Sequence, residues 1–169
     1  MRILAGRFKG QRIITKKNLP YRPTKSLVRK SIFDRLNPFN FSLVLDLFSG
    51  SGIFGFEAAS RGADHITFVE KNSKAIDLIK KNSQNKNNNI IFSYYNADAF
   101  KFLKSCNNFD LIFADPPYDN ENLEILINSC LSKLSVDGKF ILETSTKHSF
   151  NNSVKQVKFG ESQINIWNN

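Results

Sequence analysis

Val44-Leu45-Asp46-Leu47-Phe48-Ser49-Gly50-Ser51-Gly52-Ile53-Phe54-Gly55 decides the fold. It reads as a buried strand, a glycine loop and the start of a helix. The apolar Leu43-Val44-Leu45 needs a covered position in a sheet. Gly50 and Gly52 allow a sharp turn and a close backbone approach to a ligand. Ile53–Arg61 is expected to be helical, with its first N–H groups directed back into the loop. Strand, loop and helix N-terminus together make a nucleotide-sized site.

Outward from that stretch the pattern is β/α alternation. Strands are expected at Leu43–Leu47, His65–Glu70, Ile90–Tyr95, Phe109–Ala114 and Lys139–Thr144. Helices are expected at Ile53–Arg61, Asn72–Lys86, Asp98–Lys104 and Glu121–Leu134. Asp137-Gly138 reads as the turn before the fifth strand, and Val154–Phe159 with Gln163–Trp167 as a closing hairpin around Gly160. Such alternation gives a mainly parallel sheet with helices on both faces, an α/β fold. Before it, Arg2–Gly6 and Gln11–Thr15 suggest a small hairpin turned at Gly10. Thr24 is placed as the N-cap of a helix running to Leu36, which Pro38 ends. Two units follow: residues 1–40, a basic extension, and residues 41–169, the α/β domain.

The net charge is +9 over 169 residues, and it is unevenly placed. Residues 1–40 hold 11 Lys/Arg against one acid, Asp34, for +10; residues 41–169 hold 13 against 14, for −1. A neutral core with a basic head implies a polyanion partner. No apolar run approaches the ~20 residues of a membrane span, and the N-terminus lacks a secretory core, so a cytoplasmic protein is expected. Cys106 and Cys130 are neither clustered nor near histidines at metal spacing, so no metal is expected and both read as reduced structural residues.

Ligands of these sheets bind at the carboxyl ends of the strands. Four such ends carry acids: Asp46, Glu70, Asp98 and Asp115. Asp98 and Asp115 could be caps or turn formers, but four acids in register with a glycine loop exceed what capping explains. Gly50 to Gly55 matches G-x-G-x-x-G, the NAD fingerprint. Asp46 would repel a pyrophosphate there. A cofactor with an ammonium group suits it better. S-adenosylmethionine has one, along with a ribose for Glu70 and an adenine amino group for Asp98. Phe48, Ser49, Lys71 and Ala99 flank these residues and complete the expected cofactor-binding set.

Asp115-Pro116-Pro117-Tyr118 names the chemistry. Two prolines remove two donors and leave rigid, outward carbonyls. A carboxylate and such a carbonyl accept both hydrogens of an exocyclic –NH₂, while Tyr118 offers a stacking face. That favours pyramidalisation of the nitrogen and aims its lone pair at a sulfonium methyl, so catalysis is mainly positioning and electrostatics. The residues alone leave guanine N2, adenine N6 and cytosine N4 open, and also a non-catalytic RNA-binding assembly factor.

These residues resemble class I S-adenosylmethionine methyltransferases of the amino-modifying type, whose fourth motif is (D/N/S)-P-P-(Y/F). The whole chain is similar to the bacterial 16S rRNA guanine-N2 methyltransferases of the RsmD family. The similarity runs through Arg2-Ile3-Leu4-Ala5-Gly6 with Phe8-Lys9-Gly10, Arg22-Pro23-Thr24 with Val28-Arg29, Leu45 to Gly52, Glu70-Lys71, Asp115 to Tyr118 and Gly160-Glu161-Ser162. The resemblance implies a seven-stranded Rossmann-like sheet with a closing antiparallel hairpin. It implies methyl transfer from S-adenosylmethionine to N2 of one guanine in 16S rRNA, on assembled or assembling 30S particles, by a monomer. Asp46, Gly50, Gly52, Glu70 and Asp98 then carry the cofactor, and Asp115 to Tyr118 the catalysis. Arg2, Arg7, Lys9, Arg12, Arg22, Thr24 and Arg29 are the expected RNA-binding residues.

Overall fold

The structure, a computed structural model, describes residues 1–16, 26–84, 86, 89–117, 122–150 and 154–169. The expected cap at Thr24 and the residues Arg22 and Tyr118 lie outside the described residues.

Helix α1 (Ser26–Arg35) precedes strand β1 (Leu43–Leu47). Then α2 (Ile53–Arg61), β2 (His65–Val69), α3 (Ser73–Ser83) and β3 (Ile91–Tyr95) follow. Next are α4 (Ala99–Leu103), β4 (Phe109–Ala114) and α5 (Leu123–Leu131). Strands β5 (Leu134–Ser145), β6 (Lys155–Phe159) and β7 (Ser162–Asn168) complete the order. They form one seven-stranded sheet in the order β3-β2-β1-β4-β5-β7-β6. β1 to β5 run parallel, and β7 is antiparallel to both β5 and β6. This is the class I methyltransferase arrangement with its closing hairpin.

Strand alternation sorts the core into two layers. Val44, Ile66, Phe68, Leu111, Phe113 and Ile141 face α1, α2 and α3. Leu45, Leu47, Ile112 and Leu142 face α4 and α5. Both faces are covered, which is why Val44-Leu45 of β1 and Leu111-Ile112-Phe113-Ala114 of β4 are apolar on both faces. Cys130 is buried in the second layer, and that burial pushes its thiol pKa up.

Most expected boundaries are met to within a residue or two, and the larger differences are these. α3 stops at Ser83 rather than Lys86. α5 stops at Leu131, because Leu134 already pairs with Phe109 and opens β5. Asp137-Gly138 is therefore an irregularity inside β5, with Asp137 at φ 61°, and not a turn before it.

The head pairs as a short antiparallel hairpin around the Arg2–Arg12 bridge: Met1 and Ile13 exchange backbone hydrogen bonds, Ile3 N donates to Gln11 O at 3.1 Å and Gly10 N to Ile3 O at 2.9 Å. What the sequence did not show is that buried side chains of two helices take up further backbone groups of this hairpin. Glu57 of α2 accepts from Leu4 N (2.8 Å) and Ala5 N (3.1 Å). Ser60 Oγ accepts from Phe8 N and donates to Ala5 O. Asn82 of α3 accepts from Ile14 N at 2.9 Å and donates to Ile14 O at 3.0 Å. Ile3, Phe8 and Ile13 enter the first core layer. Gly6, at φ +80°, lies so close to α2 that a Cβ would stand 1.9 Å from Ser60 O.

Candidate active site

β1 lies between β2 and β4 at the point where the strand order reverses, the usual ligand position in such sheets. The chain leaves β1 through Phe48 at φ 54°, a left-handed conformation rare for a bulky residue. Ser49 then ties the loop to β2: its Oγ accepts from Val69 N and donates to Asp46 O, and its own N–H donates to Val69 O.

Asp46 is 2% exposed, and its Oδ2 accepts from Gly55 N at 2.9 Å. The helix N-terminus is thus directed at an internal carboxylate. Burial drives the Asp46 carboxyl well above the usual carboxylate range. The Gly55 hydrogen bond opposes this, while Asp115 and Glu70 add to it. Glu70 braces the loop from β2, accepting from Gly50 N (2.9 Å) and Asn72 N (2.8 Å). Asp98 does cap α4, through Oδ1 to Phe100 N and Lys101 N, and it also lines the cavity.

One cavity of about 1100 Å³ gathers these groups. Asp46, Phe48, Ser49, Gly50, Glu70 and Lys71 line it, as do Asp98 and Ala99. Asp115, Pro116 and Pro117 of the D-P-P segment line it too. The acids stand in the spatial order Asp98, Glu70, Asp46, Asp115, Glu143, one per strand across β3-β2-β1-β4-β5. The volume is at the upper end of ordinary small-molecule sites, roughly 300–1,000 Å³.

One expected site residue is corrected, and another has a packing role besides the expected one. At Gly52, with φ +73°, a Cβ would press on Ile79, Phe56 and Phe68 at 3.1 Å, so the core as well as the loop requires glycine there. Arg29 is 2% exposed, and its guanidinium donates to Arg2 O at 2.9 Å, so it holds the head and is not presented to phosphates. Arg2, Arg7, Lys9 and Arg12 are exposed.

The cavity also has walls that the sequence reading missed. Val28 and Ile32 of α1 form one, and Ile141, Glu143 and Ile164 another. Period-two spacing carried the signal for Glu143: it follows Ile141 on β5 as Asp115 follows Phe113 on β4. Among the described residues there is no cluster of three or more His, Cys, Asp or Glu able to hold a metal, and no helix is long and apolar enough to cross a membrane.

A family model described as "Conserved hypothetical protein 95" matches residues 1–167. The chain belongs to this family, the RsmD family. The ribosomal RNA small subunit methyltransferase D of Haemophilus influenzae is 37% identical over 123 residues, covering 70% of this chain and 64% of the relative. Its namesake in Buchnera aphidicola is 36% identical over 135 residues, covering 75% and 67%. The chain thus spans about two thirds of the length of these family relatives. A solved hypothetical protein of Thermus thermophilus superposes with a TM-score of 0.85 at 26% identity, over 99% of this chain and 98% of that one.

Proposed function

We propose that this protein transfers the methyl group of S-adenosylmethionine to the exocyclic N2 of a guanine in 16S rRNA, in the assembled or assembling 30S subunit. The observation that carries the reading is the single cavity holding the D-P-P segment together with the Asp46, Glu70 and Asp98 carboxylates. The names of its relatives support rRNA as the substrate.

S-adenosylmethionine supplies an electrophilic methyl group on a sulfonium. The order of acids fits its polar groups: Asp98 toward the adenine amino group, Glu70 toward the ribose hydroxyls, Asp46 toward the methionine ammonium. Asp115 comes next, just beyond the end of β4, where the target amine must sit. Asp115 and the Pro116 carbonyl would accept the two N–H bonds and aim the nitrogen lone pair at the methyl. Transfer would exchange the S–CH₃ bond for an N–CH₃ bond, with S-adenosylhomocysteine as the leaving group and the amine proton passing through the Asp115 carboxylate to solvent. Tyr118 stacks on the base. Arg2, Arg7, Lys9 and Arg12, with Arg22 and Thr24, grip the RNA around it.

The test is tritiated methyl transfer to rRNA, small-subunit particles and DNA, followed by mass spectrometry of the nucleosides. N²-methylguanosine from rRNA or particles is expected. N⁶-methyladenosine or N⁴-methylcytosine would replace the base assignment, and labelling of DNA alone would sink the reading. Asp115→Ala should lower transfer by about 10²-fold or more, as loss of one preorganised polar group does, with cofactor binding retained.

A further inference from the structure

Resting on the amine-methylation reading, the geometry points to Glu143 as the residue that selects guanine: its carboxylate accepts the N1–H of the target base while Asp115 and the Pro116 carbonyl hold the N2 amine.

The placement comes from register. Ala114, the last residue of β4, stands opposite Leu142 of β5, so Asp115 and Glu143 are the next residues of two parallel neighbours whose strands run about 4.8 Å apart. Alternation puts both side chains on the face of Phe113, Ile141 and Ile164, which line the cavity with them. Glu143 is 8% exposed. It is the fifth acid of the series and lies on the far side of Asp115 from the three assigned to the cofactor. Whatever Glu143 reads belongs to the substrate base, next to the amine.

Guanine is the base that presents a ring N–H beside an exocyclic amine. Adenine N1 and cytosine N3, the ring atoms beside their amines, are acceptors. A buried carboxylate facing either of them sets acceptor against acceptor, a repulsive element that excludes the wrong base. The apolar walls remove water that could bridge the mismatch and so sharpen it.

The test compares wild type, Glu143→Gln and Glu143→Leu on small-subunit particles reconstituted from unmethylated rRNA. Calorimetric affinity for S-adenosylmethionine should stay within about twofold in both variants. Transfer to guanine should fall roughly tenfold in Glu143→Gln, which keeps an acceptor but loses the charge. It should fall roughly 100-fold or more in Glu143→Leu, which leaves a donor unpaired. Specificity is the decisive readout. With 2-aminopurine at the methylated position, the amine remains and the N1–H is gone. Wild type should prefer guanine by at least about 100-fold, and Glu143→Gln, whose amide can donate to N1, should narrow that preference tenfold or more. A wild type indifferent to the replacement, or a preference unchanged in Glu143→Gln, would overturn the assignment. Labelling of adenine or cytosine in place of guanine would also overturn it, whereas failure of wild type to label any exocyclic amine would instead bring down the underlying amine-methylation reading.

Discussion

The Asp46 carboxylate braces the helix that follows its own loop, accepting the Gly55 N–H at 2.9 Å with almost no access to water. Burial raises its folded-state pKa. The folded protein therefore retains a proton that the unfolded chain releases near pH 4. The contribution of Asp46 to stability is therefore fully present below that pH and is lost as pH rises through the folded-state value. Asp46→Asn removes this dependence. Urea midpoints measured from about pH 4 upward should show the variant gaining on wild type as pH rises, while its affinity for S-adenosylmethionine drops about tenfold through loss of a charge-assisted contact. Parallel pH profiles would contradict this.

Glu57 is fully buried, accepts from two backbone groups of the head and pairs with Arg61 at 3.0 Å. Glu57→Ala strands all three donors and should cost about 3–5 kcal/mol, the range for breaking a buried ion pair. Asn82→Ala loses the reciprocal pair with Ile14 and should cost about 1–3 kcal/mol. Chemical denaturation reads both. Equal, negligible losses would mean that the head is not held through these side chains.

Two glycines of the head separate conformational strain from collision. Gly6 and Gly10 have nearly equal φ, +80° and +82°, but only the added Cβ at Gly6 meets backbone, while that at Gly10 meets nothing within 4 Å. Gly10→Ala should cost about 1–2 kcal/mol, the left-handed penalty alone. Gly6→Ala adds overpacking of about 1–3 kcal/mol. The difference in melting temperature between the two variants measures the contact with α2.

Salt dependence distinguishes the exposed basic residues from the buried one. Replacing Arg7, Lys9 or Arg12 by Ala should each lower the log–log salt slope of RNA binding by about 0.7–0.9. Arg29→Ala should leave that slope unchanged and lower stability, since its guanidinium holds the Arg2 carbonyl. Filter binding over a salt series, beside thermal melts, decides it.

The sheet was legible because its strands are short apolar runs between helices of clear periodicity, and the first four acids stood out because each ends a strand. Other features depend on partners far along the chain. The head pairs as the hairpin it resembles, but the groups that fasten it to the domain, Glu57, Ser60 and Asn82, lie more than fifty residues away. Arg29 shares a helical spacing with Lys25, yet the head covers the face it lies on. Gly52 belongs to a loop that looks made for a ligand, but its missing side chain makes room for Phe56 and Phe68. Glu143 was missed because nothing local relates β5 to β4; only their parallel register does.

The position of β7 between β5 and β6 bears on how the protein comes into being. A chain synthesised from its N-terminus releases β1 to β5 first, with one flank of β5 bare and ready to pair with a stranger. Ile164, which walls the cavity, emerges afterwards. Until β7 docks, the nascent chain has its acids but not this wall. The wall that is missing stands on the β5 side, away from the three acids nearest β3, β2 and β1, and a stalled product lacking β7 exposes a bare strand edge that invites aggregation.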